Sequence, residues 1–334
     1  MRMIISRTPF RISFFGGGTD YPAWYENYGG GAVLSVTMNK YCYISCRHLP
    51  PFFDHTSKIV WSKIELVKKV EEIEHPSVKE VLRHLKLHKQ GMEIHYNADL
   101  PARSGIGSSS AFTVGLLNAL YALNGTMAGK RKLALEAIHV EQKRIKESVG
   151  SQDQVAAAFG GLNKITFGGP NRIAVQPVTV SSARIKDLDD HCLLFFTGLS
   201  RNAGEIAAIQ IKNTPNKKTE LLKMYAMVDQ AIDILSGKDD LREFGSLLHE
   251  SWMLKRGLSD VITNAHIDRA YGAARRAGAL GGKLLGAGGG GFILIFAEPK
   301  KHTAVRKAMK GLLEVPFQFD HLGSQIIYHG VHES

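Results

Sequence analysis

The chain predicts an α+β protein built from two domains, on three observations. Its 334 residues, 44% apolar and 22% charged, can bury a large core and exceed the size at which a single core stops growing. Strand-like and helix-like runs cluster instead of alternating, which favours α+β layers over a doubly wound parallel sheet. The chain changes character within 170–190, where a β-rich first half gives way to helices, so the expected domains are 1–180 and 181–334.

The elements follow in order. The runs "MIISRTPFRISFF", "GAVLSVTMNKYCYISCR", "KIVWS" and "GMEIHYNADLP" are rich in β-branched and aromatic residues and predict strands. In "SVKEVLRHLKLHKQ", Val78, Val81, Leu82 and Leu85 recur at helical spacing, so His84 and His88 belong to the solvated face of an amphipathic helix. Helices are expected over 109–124 and 131–148, then strands in "LNKITFGGPNRIAVQPVTV" and "HCLLFFTG". Further helices are expected at 202–211, 218–236, 240–256 and 265–278, before a strand in "GGFILIFAE", a helix near 299–313 and a last strand in "SQIIYHGV".

Composition excludes several classes. No apolar run approaches the roughly 18–20 residues of a membrane span, and Arg7 and Arg11 interrupt the N-terminal stretch where a signal peptide would be apolar. The expected location is the cytoplasm, with no membrane partner. Three cysteines, Cys42, Cys46 and Cys192, form neither a disulfide framework nor a zinc site and read as buried thiols. The formal charge of +11 points to anionic partners. Lys and Arg are spread over helices and loops with no basic arm, which fits a small phosphorylated ligand and not nucleic acid.

Three glycine-rich stretches carry the chemistry. In "LPARSGIGSSSAF", a strand ends in a Pro/Gly loop and a helix opens on Ser108, Ser109 and Ser110. Gly105 and Gly107 allow the backbone to approach a ligand, and the first N–H groups of the helix lack internal partners, which makes an anion site. A serine N-cap beside a tight turn is the plainer reading of the same residues. In "KLLGAGGGGFILIF", glycines at 286, 288 and 291 formally spell GxGxxG. A strand follows them where a dinucleotide fingerprint would open a helix, so close backbone approach to a ligand or to the other domain is the better reason. In "RTPFRISFFGGGTDYPAWY", Thr19 and Asp20 follow a close-approach loop and can bond vicinal sugar hydroxyls or cap a short helix at Pro22.

Together the three stretches resemble the GHMP kinase superfamily over nearly the whole chain. The Pro-x-x-x-Gly-Leu-Gly-Ser-Ser-Ala type of motif is matched by Pro101 to Ala111, with Ile106 for the usual leucine and an added serine. The Lys-x-x-Gly-Ala-Gly-Gly-Gly-Gly motif is matched from Lys283 to Gly291. This resemblance implies a ribosomal-protein-S5-domain-2-like N-terminal domain, a ferredoxin-like C-terminal domain, ATP and Mg2+ as cofactors, and a nucleotide cradle of Pro101, Ser104, Gly105, Ile106, Gly107, Ser108, Ser109 and Ser110. It also implies a catalytic aspartate at Asp153, ahead of an Ala/Phe-rich helix, and a helix-borne magnesium carboxylate at Glu141. Ser109 is the expected serine ligand beside Glu141, with Ser110 as the alternative. Arg11 takes the place of the first-motif cation and is expected to pair with Asp153 or with the transferring phosphoryl group.

The "FFGGGTDY" form, with "HESWMLKRGLSDVITNAHID", is most similar to the bacterial D-glycero-D-manno-heptose 7-phosphate kinases. The implied reaction is ATP-dependent phosphorylation of the anomeric hydroxyl to the 1,7-bisphosphate, for nucleotide-activated heptose. Substrate contacts are expected from Gly17, Gly18, Thr19, Asp20, Tyr21, Gly288 and Gly289, and a distal phosphate site from Arg7, Lys255 and Arg256. Trp61 is the expected adenine contact. A fucose- or galactose-type sugar 1-kinase and a non-catalytic ATP- and sugar-binding regulator are the alternatives.

Overall fold

The computed structural model describes residues 2–168, 173–198, 203–237 and 239–330. Residues 169–172, the expected helix start at 202 and Val331 at the end of the last predicted strand lie outside them. In chain order the elements are β1 (Met3–Phe15), α1 (Pro22–Tyr25), β2 (Gly31–His48), β3 (Ser57–Val60), β4 (Ile64–Val67), α2 (Pro76–His84), β5 (Met92–Ala98), α3 (Ser108–Leu123), α4 (Lys130–His139), α5 (Gln152–Phe159), β6 (Asn163–Phe167) and β7 (Ile173–Pro177). Then come α6 (Ser182–Asp190), β8 (Cys192–Phe196), α7 (Ala203–Asn213), α8 (Lys218–Ser236), α9 (Leu241–Arg256), α10 (Ala265–Arg276), β9 (Gly281–Leu284), β10 (Phe292–Phe296), α11 (His302–Ala308), β11 (Leu313–Glu314), β12 (Phe319–Asp320) and β13 (Gln325–Gly330).

The strands form two sheets. The first runs β13-β1-β2-β5-β3-β4, with β6 and β12 pairing to other stretches of the long β2 and β7 pairing to β6. The second has order β11-β8-β10-β9, all antiparallel. Read along the chain, β8 to β11 stand in the order 4-1-3-2 with helices between the first and second and between the third and fourth, which is the ferredoxin-like arrangement. Residues 319–330, expected in the C-terminal domain, instead return to the first sheet, where β12 pairs with β2 and β13 pairs antiparallel with β1. The physical reason is β1, whose outer row of N–H and C=O groups would otherwise be left as an open edge.

Other differences are local. The helix expected over 131–148 gives way after His139 to a π-helical turn over Val140–Ile145 and ends at Lys146, whose φ of +65° is left-handed. The helix expected near 299–313 is shorter, and Leu313 instead pairs with Phe196 as an edge strand. All three cysteines are buried and unpaired. No helix among the described residues is long and apolar enough to cross a membrane.

Helix α3 lies buried against β1 and β2, and thirteen of its sixteen residues are buried, because "AFTVGLLNALYAL" is apolar all round. The turn that leads into its N-terminus is thereby held against the glycine-rich stretch of the other half. The two halves meet through aromatic rings: Phe14 and Phe15 of β1 lie edge-on to Phe244 of α9 at 5.4 and 5.1 Å, and Phe244 meets Phe296 of β10 at 5.4 Å. They also meet backbone to backbone. A Cβ on Gly286 would stand 2.4 Å from the Cα of Gly105, and one on Gly291 would stand 2.2 Å from the carbonyl oxygen of Ser104. The Gly286→Ala substitution, at a φ of +72°, should therefore destabilise the fold by about 1–3 kcal/mol in denaturant unfolding. An unchanged unfolding midpoint would mean that the two stretches do not press on each other in solution.

Candidate active site

A cleft of about 690 Å³, within the size range of small-molecule sites, opens between the two halves. Its phosphate-binding wall is the turn before α3, where Gly105 (φ +83°) and Gly107 (φ +75°) are left-handed and the helix starts at Ser108. Gly105, Gly107, Ser108 and Ser109 line the cleft, joined by Ala102 and Arg103, which sequence reasoning missed. Pro101, Ser104, Ile106 and Ser110 do not line it. Ser104 Oγ donates to the Pro101 carbonyl at 2.6 Å, and the buried Ile106 accepts the Arg11 backbone N–H at 3.1 Å, so these residues shape the turn from behind.

Arg11 and Asp153 meet beside this turn. Arg11 Nε donates to Asp153 Oδ1 at 2.8 Å and Nη2 to Oδ2 at 2.9 Å, while Nη1 donates to the Gly105 carbonyl at 2.7 Å. Asp153 sits in the first turn of α5, where the helix dipole favours an anion. A Cβ on Gly107 would stand 3.3 Å from both the Arg11 side chain and the Asp153 carboxyl, so the carboxylate stands at the mouth of the phosphate turn.

The metal pair differs from expectation. Ser109 is exposed to the cleft, whereas Ser110 is buried and its hydroxyl donates to Glu141 Oε2 at 2.8 Å. Helical rotation of about 100° per residue turns adjacent serines to different sides. Glu141 is fully buried; burial above all pushes its carboxyl up to about 7, against hydrogen bonds from Ser110, Thr113 and Gln154. Its Oε1 is buried without a partner. A carboxylate oxygen with no donor, next to a hydroxyl, fits a hard divalent cation such as Mg2+. No group of three or more His, Cys, Asp or Glu that could hold a metal occurs among the described residues, so phosphate oxygens and water would have to complete the shell.

On the acceptor side, Gly17, Gly18, Asp20 and Tyr21 line the cleft. Burial pushes the Asp20 carboxyl up, and the Gly18 N–H at 2.9 Å draws it back. Burial likewise pushes up the Tyr21 phenol. Thr19 does not reach the cleft. Its single hydroxyl proton is shared between the Gly16 carbonyl at 2.7 Å and the Ala32 carbonyl at 2.9 Å, and its oxygen accepts from the Ala32 N–H, so its side chain is engaged in closing the turn.

Of the three expected distal-phosphate cations, only Lys255 lines the cleft. Its ammonium donates to the carbonyls of Gly286 at 2.5 Å and Leu284 at 3.3 Å, and burial, with Arg11 nearby, lowers its pKa to about 8. Arg256 turns away and pairs with Asp268 at 3.0 Å. Arg7 lies four residues before Arg11 on β1, roughly 13 Å along the strand, where it bonds Gln325 and covers the Tyr41 ring. Gly288 and Gly289 pack against Ile262, whose carbonyl accepts the Gly289 N–H at 2.9 Å, and Gly286 and Ala287 face the cleft in their place.

Sequence reasoning also missed Lys283, Gln152 and Gln210. Lys283 is buried in the cleft wall, donates to the Phe14 carbonyl at 2.8 Å, and has its pKa pushed well down by burial. The lysine that opens the second glycine motif was the signal available for it. Opposite, Trp61 lines the cleft with His75, Tyr96 and Phe112. His75 stacks on Phe112 at 4.4 Å, Trp61 and Tyr96 stand edge-on to these two at 4.9 and 5.2 Å, and burial lowers the His75 pKa to about 4, leaving a neutral aromatic wall suited to a planar base.

Residues 65–161 match the GHMP kinases N terminal domain and residues 218–314 the GHMP kinases C terminal domain. The D-glycero-alpha-D-manno-heptose 7-phosphate kinase of Campylobacter jejuni subsp. jejuni serotype O:2 is 28% identical over 329 residues, covering 93% of this chain and 94% of that one. A crystal structure of a D-glycero-D-manno-heptose 1-phosphate kinase from Bacteroides thetaiotaomicron superposes with a TM-score of 0.80 at 25% identity, over 99% of this chain and 100% of that one. Lactococcus lactis galactokinase, complexed with galactose, shares the fold with a TM-score of 0.74 at 19% identity, over 97% and 95% of the two chains.

The serine geometry is testable by titrating Mn2+ in the presence of a non-hydrolysable ATP analogue. Ser110→Ala should weaken metal binding about tenfold or more, on the scale of a lost ligand or its close support, and Ser109→Ala by less than about threefold. The reverse order would return the metal to Ser109.

Proposed function

The chain belongs to the GHMP kinases, and on that premise we propose that it transfers the γ-phosphoryl group of ATP to the anomeric hydroxyl of D-glycero-D-manno-heptose 7-phosphate, giving the 1,7-bisphosphate. It is a sugar kinase of this family, and GHMP kinases use ATP, generally with Mg2+. The observation that carries the reading is the placing of the Asp153 carboxyl against the Gly107 turn, with Arg11 bonded to both.

Phosphoryl transfer of this kind has a loose transition state, so the protein's task is alignment and charge stabilisation. The N–H groups opening α3 receive the polyphosphate, and the aromatic wall at Trp61 and Phe112 receives the base. Ser110 and Glu141 would hold the divalent cation, which neutralises charge on the phosphate oxygens. Arg11 holds both oxygens of Asp153, leaving the carboxylate one fixed direction in which to accept the sugar hydroxyl and aim it at the phosphorus. Asp20 and the backbone of Gly17 and Gly18 flank the sugar, and Lys255 and Lys283 supply positive charge for a phosphorylated ligand.

A coupled assay across heptose 7-phosphate, heptose, fucose and galactose tests the substrate. Heptose 7-phosphate should be preferred, and equal turnover of the unphosphorylated hexoses would overturn the heptose reading. Asp153→Asn should retain nucleotide binding and lose about two to four decades of kcat. A variant as fast as the wild type would remove the carboxylate from the mechanism.

A further inference from the structure

Among the described residues, two side-chain polar atoms of the cleft-lining residues are buried without a partner, the Oγ of Ser13 and the Oε1 of Gln152. A serine hydroxyl can rotate to donate or accept, whereas an amide oxygen only accepts, so it demands a donor of its own. Gln152 is 9% exposed and opens α5 immediately before Asp153. Its nitrogen end lies 3.9 Å from where a Cβ on Gly17 would stand, and the amide hydrogen-bonds with Asp20. Those contacts fix which way the amide faces: nitrogen towards the acidic loop, oxygen without a donor.

A buried carbonyl left unpaired is destabilising, and beside Asp153 the acceptor sugar brings O–H donors that can satisfy it. A fully ionised phosphate has no proton to give and would be repelled by the oxygen. We propose that Gln152 is a specificity-determining residue whose Oε1 accepts a hydrogen bond from the sugar hydroxyl adjacent to the one being phosphorylated. The inference rests on the sugar 1-kinase reading above, in which that neighbour is the 2-hydroxyl. Asp153 holds the acceptor hydroxyl, and although the two side chains leave α5 about 100° apart, Gln152 and Asp153 both line the cleft, one on either side of a ring edge. Asp20 fixes the far end of the amide, so the pocket discriminates by an acceptor locked in place.

The test is steady-state kinetics of the full chain on D-glycero-D-manno-heptose 7-phosphate and on its 2-deoxy counterpart. The wild type should prefer the hydroxylated sugar about ten- to a hundredfold in kcat/KM. Gln152→Met, similar in volume but without the amide oxygen, should bring the two sugars within about threefold, the loss falling on the hydroxylated one. Gln152→Glu, which keeps acceptor oxygens, should turn over more slowly beside Asp20 yet retain the preference. Equal use of both sugars by the wild type would overturn the inference, as would a Met variant that loses both by one factor and keeps the preference, since that would make Gln152 only a support for Asp20. If the wild type phosphorylates neither sugar while turning over another, the heptose reading fails and takes the 2-hydroxyl assignment with it.

Discussion

The site depends on one buried guanidinium. Arg11 is 3% exposed, and a charge so enclosed must be fully bonded or it destabilises the fold. Its side chain donates to two oxygens of Asp153 and to the carbonyl of Gly105, and its backbone N–H donates to Ile106. One residue therefore locks together β1, the phosphate turn and the start of α5, the three elements whose relative placing decides whether an acceptor can face a phosphorus. The planar fork is what allows this. A lysine could neutralise Asp153, but its tetrahedral ammonium cannot bond a carboxylate two-pronged and reach a third carbonyl in the same plane.

The second constraint is the absence of side chains. Gly105 and Gly286 sit so close that neither tolerates a Cβ, and Ser104 accepts the Phe292 N–H at 3.0 Å while crowding Gly291. The glycine-rich stretch of the second half thus supports the phosphate turn of the first from beneath. Lys255 completes the contact by donating to the Gly286 carbonyl, which places an ammonium just behind the turn. Cleft formation and domain contact are consequently one event: the wall that receives the nucleotide exists because the two backbones touch.

Sequence reasoning reached the elements whose information is local. The apolar pattern of α3 and the glycines before it are legible because helical spacing and left-handed φ need no distant partner. It failed where direction or partner is tertiary. Arg7 and Arg11 are alike in sequence, yet one ends beside Gln325 on an edge strand contributed from the far end of the chain, and nothing near residue 7 encodes that strand's return. Lys255 and Arg256 are adjacent, and a turn of one residue on α9 sends the first into the cleft and the second to Asp268. Ser109 and Ser110 part for the same reason. Thr19 is expected to bond a sugar hydroxyl because its own hydroxyl can donate and accept, but backbone partners already use it. Gln152 carries no charge and no motif spacing that would mark it in the sequence; only the cleft around it shows an acceptor without a donor.

The charges around the cleft explain why the arrangement suits anionic ligands in particular. Arg11, Lys255 and Lys283 face Asp20 and Asp153 across a largely buried wall, and burial opposes ionisation on both sides, lowering the two lysines and raising Asp20. The two lysines and Asp20 are thus worse off as ions than they would be in water, the condition in which an arriving charge has most effect. A polyphosphate at the Gly105–Ser109 turn favours the ammonium form of the lysines, and the lysines in turn favour the negative oxygens. The protein's own dipoles and cations are already aimed before the ligand enters, held by Arg11 and by the glycine contacts, so little reorganisation remains to be done at the moment of transfer. An exposed set of the same residues would have the same formal charges and far less of this preference, because water would screen them; it is the close approach of two side-chain-free backbones that keeps the wall shut and the charges effective.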